Sequence, residues 1–407
     1  MAMAKKTDPT ETKKSGTKLP DTKGSKLSRI LDAAKKVLKG DSWKANIDPD
    51  QLDESAPHVP TGSMVVDYLI GGVPNAKGVA PCPGFPRKRI TQLWGQEGAG
   101  KTTLALMSAA ATIAKGGCVF YVDWENAIVL DYAIKLGVPV GDESKFVLVQ
   151  PATLEEGLKL VRFAAIGGAD LIVIDSVGAA VPEAIAERGL EETGEQARVG
   201  LAAQRWSEFL PQVRGDILKS GSALLGISQT RSKIGGMGNG PQFEPQGGQA
   251  WKFYSDLRIE IRRFQQEKAR VVNMLSNKTE EQVVGSIVNC KIVKCKLSDS
   301  QGREEKFYIR QGEGIDDVRT IVEVAINYNV IRKSGGWFYY GEAGKWQGQE
   351  QVLKFFKADR KQLAELAQKV RPYLTKKSDE PPEADVDGPD DALDEFIQQM
   401  DSPAAEE

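Results

Sequence analysis

Histidine is nearly absent from this 407-residue chain, with His58 the only one. Catalysis by a histidine-activated nucleophile, or a zinc site built on several histidines, therefore has almost no raw material. Cysteine is scarce too. The four, Cys82, Cys118, Cys290 and Cys295, follow no metal-ligand spacing, because the last two are too far apart for C-x-x-C and lack a partner pair. Reduced thiols are the expectation. No run reaches the roughly 20 apolar residues that cross a bilayer, and the opening MAMAKKTDPTETKKSGTK lacks the apolar segment of a secretory signal. A cytoplasmic protein with no membrane attachment is expected, its chemistry left to carboxylates, lysines and amides.

What is present is unevenly placed. Formal net charge is −2, yet Ser378 to Glu407 holds twelve acidic residues and no basic one, so residues 1–377 carry +10. A basic body suits a polyanionic partner, and the tail reads equally as a mimic of that partner or as a solubilising segment. Residues 1–26 are polar and lysine-rich and predict a disordered start. Leu27, Ile30, Leu31, Ala34, Val37 and Leu38 then recur at helical spacing, and Gly40 ends the pattern. Residues 27–59 thus predict an amphipathic helix and a linker, free to pack on its own chain or on a neighbour.

From Arg89 onward, apolar runs (RITQLW, CVFYVD, KFVLV, DLIVID, ALLGIS) alternate with helical stretches such as TTLALMSAAATIA. That alternation predicts an α/β fold with a mostly parallel central sheet. After Gln249, SDLRIEIRRF, GSIVNCKIVKCKL and EEKFYIR predict antiparallel additions at one edge, giving a core over 60–310. Residues 311–377 predict a small α+β domain, with helices at 318–327 and 351–370 around the hairpin GGWFYYG, and 378–407 the acidic tail.

Gly95-Gln96-Glu97-Gly98-Ala99-Gly100-Lys101-Thr102-Thr103 fits G-x-x-x-x-G-K-[ST] at a strand-to-helix junction. Glycines let backbone N–H groups wrap a phosphate, the helix offers its positive end, Lys101 reaches the β and γ phosphates, and Thr102 holds Mg²⁺. DLIVID ends in Asp175 where strand ends meet ligands in open α/β sheets, which predicts a second metal ligand. CVFYVD delivers Glu125 to the same edge, a carboxylate able to orient water.

Two polar segments predict a nucleic-acid side. Gln229 to Gly240, followed by Gly247-Gly248, is too long and glycine-rich for a plain turn. Arg231 and Lys233 can contact phosphates, Ile234 and Met237 can wedge against bases, and Gln229 is placed to sense the γ phosphate and move the loop. Glu187 to Val199 predicts a second loop before a helix starting near Gly200.

Taken in order, PTGSMVVDYLIGG, GQEGAGKTT, VDWENA, LIVIDSVGA, VGLAAQRW, SQTRSKIG, GGQAWKFYSDLRIEIRR and KIVKCK resemble the bacterial and phage RecA recombinase family over about Pro60 to Leu374. The resemblance implies a P-loop ATPase core with an N-terminal helix arm that docks on the neighbouring subunit. It implies DNA-dependent ATP hydrolysis and Mg²⁺, filaments on single-stranded DNA, pairing with a homologous duplex, and single-strand-binding and loader proteins as partners. By the same resemblance Glu125 activates water, Gln229 senses the γ phosphate, and Tyr132 stacks on adenine. Lys294 and Lys296 reach ATP on the adjacent subunit. Arg231, Gly247 and Gly248 fall at the primary DNA loop, and Arg262, Arg263 and Lys291 at a second, duplex-facing site.

The sequence also departs from the family. Val129 stands where the family places an aspartate near adenine. Gln204 stands at the arginine after LAA, with Arg205 next as the DNA contact. VPNAKGVAPCPGF before Pro86 has no counterpart. Two other functions fit the same core: a ring helicase, marked by unwinding without homologous pairing, and a non-catalytic ATP-gated DNA-binding regulator, marked by negligible turnover.

Overall fold

The computed structural model describes residues 54–187, 195–232, 243–272, 279–341 and 344–374. The helix expected at Leu27 to Lys39, Lys233, Ile234, Met237 and the acidic tail lie outside these residues.

The chain enters through β1 (His58–Val59), α1 (Met64–Gly71) and β2 (Phe85–Pro86), with β1 and β2 paired antiparallel. Ser63 caps α1 by accepting from the Val66 amide at 3.3 Å. The insert without a family counterpart, 73–85, is exposed in its first half and packed in its second. Ala80, Cys82 and Phe85 are buried, and the Ser55 hydroxyl and Ala56 amide donate to the carbonyls of Ala80 and Pro81 at 2.6 and 2.7 Å.

The central pattern follows as β3 (Ile90–Gly95), α2 (Lys101–Ala114), β4 (Val119–Asp123), α3 (Leu130–Lys135), β5 (Phe146–Val149) and α4 (Leu154–Gly167). Next come β6 (Leu171–Asp175), α5 (Glu183–Ala186), α6 (Glu195–Ser220), β7 (Ala223–Ser232), β8 (Phe243–Pro245), α7 (Gln249–Tyr254), β9 (Leu257–Val272), β10 (Thr279–Cys295), β11 (Glu304–Arg310) and β12 (Gly314–Ile315). The sheet order is β12-β11-β10-β9-β3-β7-β6-β4-β5. Every residue of β3 and β6 is buried, as expected of strands covered on both faces. One core gathers side chains of α1, α2 and the C-terminal helices. The other lies beneath α4, α6 and α7 around Trp124, Trp206 and Trp251.

Three sequence expectations shift. The antiparallel edge begins one strand later, because α7 carries the chain back across the sheet and β9 runs parallel to β3 before β10 reverses. The segment from Gln229 does not begin as a loop: β7 runs on to Ser232 and pairs with β8, and residues 233–242 between them lie outside the described residues. The helix expected near Gly200 starts at Glu195.

At the C-terminal end, α8 (Asp317–Asn327) precedes a three-stranded sheet, β13 (Arg332–Ser334), β14 (Trp337–Tyr340) and β15 (Gly344–Gln347). The single helical pattern expected at 351–370 is two helices, α9 (Gln349–Ala358) and α10 (Arg360–Leu374). They divide at Asp359, in extended conformation, whose carboxylate accepts from the amides of Lys361 and Gln362 at 3.0 and 3.1 Å.

Candidate nucleotide site and nucleic-acid interface

Strand register assembles the site. Gly95 at the end of β3 pairs with Gln229 of β7, and Asp123 at the end of β4 pairs with Asp175 of β6, so four strands deliver their chemistry to one edge. Between them opens a cleft of about 670 Å³, lined by the phosphate-loop residues Glu97, Gly98, Gly100, Lys101, Thr102 and Thr103, and by Glu125, Tyr132, Asp175 and Gln229. Gly95 is required by close approach, since a Cβ there would stand 1.9 Å from the Ile261 carbonyl oxygen. Gly100, at φ 93°, turns the loop into α2 with a left-handed residue.

The side chains interlock. Lys101 Nζ donates to the carbonyls of Gly95 and Gln96 at 3.0 and 2.7 Å, and burial holds its pKa below the ordinary lysine value, opposed by Asp175, Glu125 and Glu97. Asp175 Oδ2 accepts from the hydroxyls of Thr102 and Tyr121, both at 2.8 Å. Burial lifts Asp175 to about 6; those two hydrogen bonds oppose the shift, and Glu125 and Asp123 add to it. A threonine hydroxyl and a carboxylate are hard oxygen donors of the kind Mg²⁺ takes, and a cation held between them would offset the buried charge. Among the described residues no cluster of three or more His, Cys, Asp or Glu could hold a metal, so the remaining ligands would come from phosphate oxygens and water.

Glu125 Oε1 accepts from Gln229 Nε2 at 2.8 Å and from the Ser176 hydroxyl. Asp123 orders the turn beneath it by accepting from the Glu125 amide at 3.1 Å and the Ile128 amide at 3.3 Å. Tyr132 projects from α3, its hydroxyl 3.0 Å from that of Thr103. Tyr121, Asp123 and Ser176 were not singled out from the sequence, although each lies within or beside a motif that was; only pairing and register give them a task.

Gln229 reaches both ways. Its side chain holds Glu125, while its carbonyl accepts from the Gln246 amide at 2.8 Å, one residue before Gly247. A smaller cleft of about 250 Å³ lies there, between Val177 to Ala180, the Val199 to Trp206 face of α6, and Glu244 to Gly248. Arg231 stands in β7 opposite Glu244. Arg205 is held by Glu155 and Glu208 at 3.0 and 3.2 Å.

Other expected residues lie apart. Lys294 and Lys296 sit at the opposite end of β9 and β10 from the phosphate loop, where Lys294 donates to the Lys252 carbonyl at 3.0 Å and Lys296 pairs with Asp256 at 3.3 Å. The five residues Leu257 to Ile261 that pair with β3 span roughly 17 Å, so these lysines cannot serve the nucleotide of their own chain. Arg262 pairs with Glu260 at 2.6 Å and Lys291 with Glu304 at 3.1 Å. Arg263 lines the nucleotide cleft.

Residues 44–316 match the RecA N-terminal domain and residues 319–375 the RecA C-terminal domain. The chain belongs to the RecA family. Protein RecA of Chlorobaculum parvum is 37% identical over 349 residues, 85% of this chain and 92% of that one. Protein RecA of Chlorobaculum tepidum is 39% identical over 318 residues, 78% and 84% of the two chains, and that of Thermus aquaticus 38% identical over 313 residues, 77% and 84%. The crystal structure of the RadB recombinase aligns with a TM-score of 0.44 and 19% identity over 64% of this chain and 99% of that chain, and the assignment does not rest on it. Membership of the RecA family makes the chain a recombinase with DNA-dependent ATPase activity. No helix among the described residues is long and apolar enough to cross a membrane.

Proposed function

We propose that this chain assembles as a helical filament on single-stranded DNA in the cytoplasm, binds ATP at residues 95–103, and tests a homologous duplex for pairing before hydrolysis releases the filament. The observation that carries the reading is the continuous link from Glu125 through the Gln229 side chain to the Gln229 carbonyl and the strand that leads into the glycine-rich segment. Gln229 leaves Glu125 to meet the γ phosphate, and the same movement shifts the segment that grips DNA. Glu125, freed, orients the attacking water.

Thr102 and Asp175 would hold the magnesium ion, which when bound neutralises phosphate charge. Lys101 turns from the two loop carbonyls to the β and γ phosphates. Tyr132 supports the base. Lys294 and Lys296, too distant for their own nucleotide, reach that of the adjacent subunit, so turnover belongs to the filament interface. Arg231, Lys233, Ile234, Met237, Gly247 and Gly248 line the single strand; Arg262 and Lys291 draw in the duplex, and Arg205 borders the single-strand site.

The test is ATP hydrolysis with and without single-stranded DNA. Strong DNA stimulation is expected. Lys101→Ala should abolish it, and Glu125→Gln should lower kcat by about 10²–10⁴-fold with nucleotide binding intact. Full turnover in Lys101→Ala would overturn the site, and negligible turnover by the unaltered chain under all DNA conditions would favour the ATP-gated binder.

A further inference from the structure

The β9–β10 ladder outruns the parallel sheet. β9 is paired with β3 only as far as Ile261, opposite Gly95; from Arg262 it continues beside β10 alone, alongside the edge that holds the phosphate loop. Within that overhang the ladder slips. Arg263 pairs with Val288 and Gln265 with Ile287, so Phe264 is the extra residue of a bulge, a feature that re-aims neighbouring side chains.

The re-aimed residue is Arg263. Its Nη1 lies 3.2 Å from where a Cβ on Gly98 would stand, so the guanidinium rests on the phosphate loop at a glycine held at φ 66°. It lines the same cleft as Lys101, Thr102, Glu125 and Gln229. Its two companions in the basic group are engaged, Arg262 by Glu260 and Lys291 by Glu304. Arg263 has no ion pair or side-chain hydrogen bond among the described residues. The cleft's other own-chain cations are Lys101, set among Asp175, Glu125 and Glu97, and Arg310, which is held by Asp316 at 2.9 Å and Glu313 at 3.4 Å.

We propose that Arg263 is a phosphate-binding residue for the nucleotide of its own subunit. Its planar guanidinium donates to the terminal phosphate oxygens, complementing the point charge of Lys101 and opposing the negative charge of the three carboxylates. This rests on the reading of residues 95–103 as the nucleotide loop, and it replaces the duplex contact that family resemblance implies for Arg263. The two cation sets then have different origins: Lys101 and Arg263 from the chain that holds the nucleotide, Lys294 and Lys296 from its neighbour.

The test is binding of fluorescent ATP and ADP analogues to the full chain without DNA, so that duplex contacts cannot contribute. Arg263→Gln should weaken the triphosphate about tenfold and the diphosphate less, the scale of a lost charge-assisted hydrogen bond. Arg263→Lys should recover part of the loss, and Lys219→Gln, on the exposed last turn of α6, should leave both affinities unchanged. Thermal melting of each variant separates this from misfolding. Unchanged triphosphate affinity in Arg263→Gln, beside a clear loss in Lys101→Ala, would overturn the proposal and leave the nucleotide site standing. Equal losses for both analogues would remove the terminal-phosphate assignment, and unchanged binding in Lys101→Ala would overturn the site itself.

Discussion

Two half-buried carboxylates at the junction of α1 and α8 carry a pH dependence that is separate from catalysis. Asp67 accepts from the Thr61 amide at 3.0 Å, and Asp317 accepts from the Ser63 hydroxyl and Met64 amide at 2.5 and 2.6 Å. Burial lifts Asp67 to about 7 and Asp317 to about 6, each partly opposed by those hydrogen bonds. Both sit above the ordinary carboxylate value of 3.8, so between it and the folded pKa the native state keeps a proton that the unfolded chain has released. Bound protons then favour the native state, and stability falls as pH rises through about 4 to 7. In Asp67→Asn this fall should shrink by on the order of 2 kcal/mol, read from denaturant midpoints at pH 5 and pH 8. Parallel pH profiles for the two proteins would refute it.

Among the elements, α6 anchors an aromatic layer. Trp206 meets Trp124 edge-on at 6.1 Å, Trp251 at 5.2 Å and Phe209 at 5.9 Å, and is fully buried. Trp124 immediately precedes Glu125, and Trp251 fills the space that Gly226 and Gly247 leave open. The aromatic layer therefore seats both the Glu125 turn and the Gln246 to Gly248 segment. Trp206→Ala should cost roughly 3–5 kcal/mol through the cavity it leaves, seen as a lower melting temperature, whereas Trp206→Phe should retain most of the stability. The same helix shows where reading by pattern stops: its start was expected near Gly200, yet the helix begins at Glu195, because Glu195, Gln196, Ala197 and Arg198 are good helix formers that carry no apolar period to mark them.

For the molecule as a whole, the proposed role of the two lysines calls for a partner. Because Lys294 and Lys296 stand across the sheet from Lys101, that role would build each complete site from two chains, joined head to tail. A doubly substituted Lys294→Ala, Lys296→Ala chain and a Lys101→Ala chain should each be inactive alone. Mixed in equal amounts with single-stranded DNA they should regain activity at about a quarter of the sites, the share pairing an intact loop with an intact neighbour. No recovery on mixing would place the lysines' role within one chain.

Much of this was legible in linear order. Local motifs needed only the sequence: Gly95 to Thr103, the strands that deliver Glu125 and Asp175, and the strand-helix alternation that demands a mostly parallel sheet, since periodicity and glycine placement are properties of neighbouring residues. The sequence by itself also determined the uneven charge and the exclusion of histidine chemistry. Tertiary structure decided what depends on register and direction. It ran β9 parallel to β3, tied Gln229 to Glu125, bonded Tyr121 to Asp175 and Ser176 to Glu125, and set Arg263 against the phosphate loop. The one-residue slip at Phe264 lies next to Arg263, and a slip is a relation between two strands that neither strand's residues declare alone.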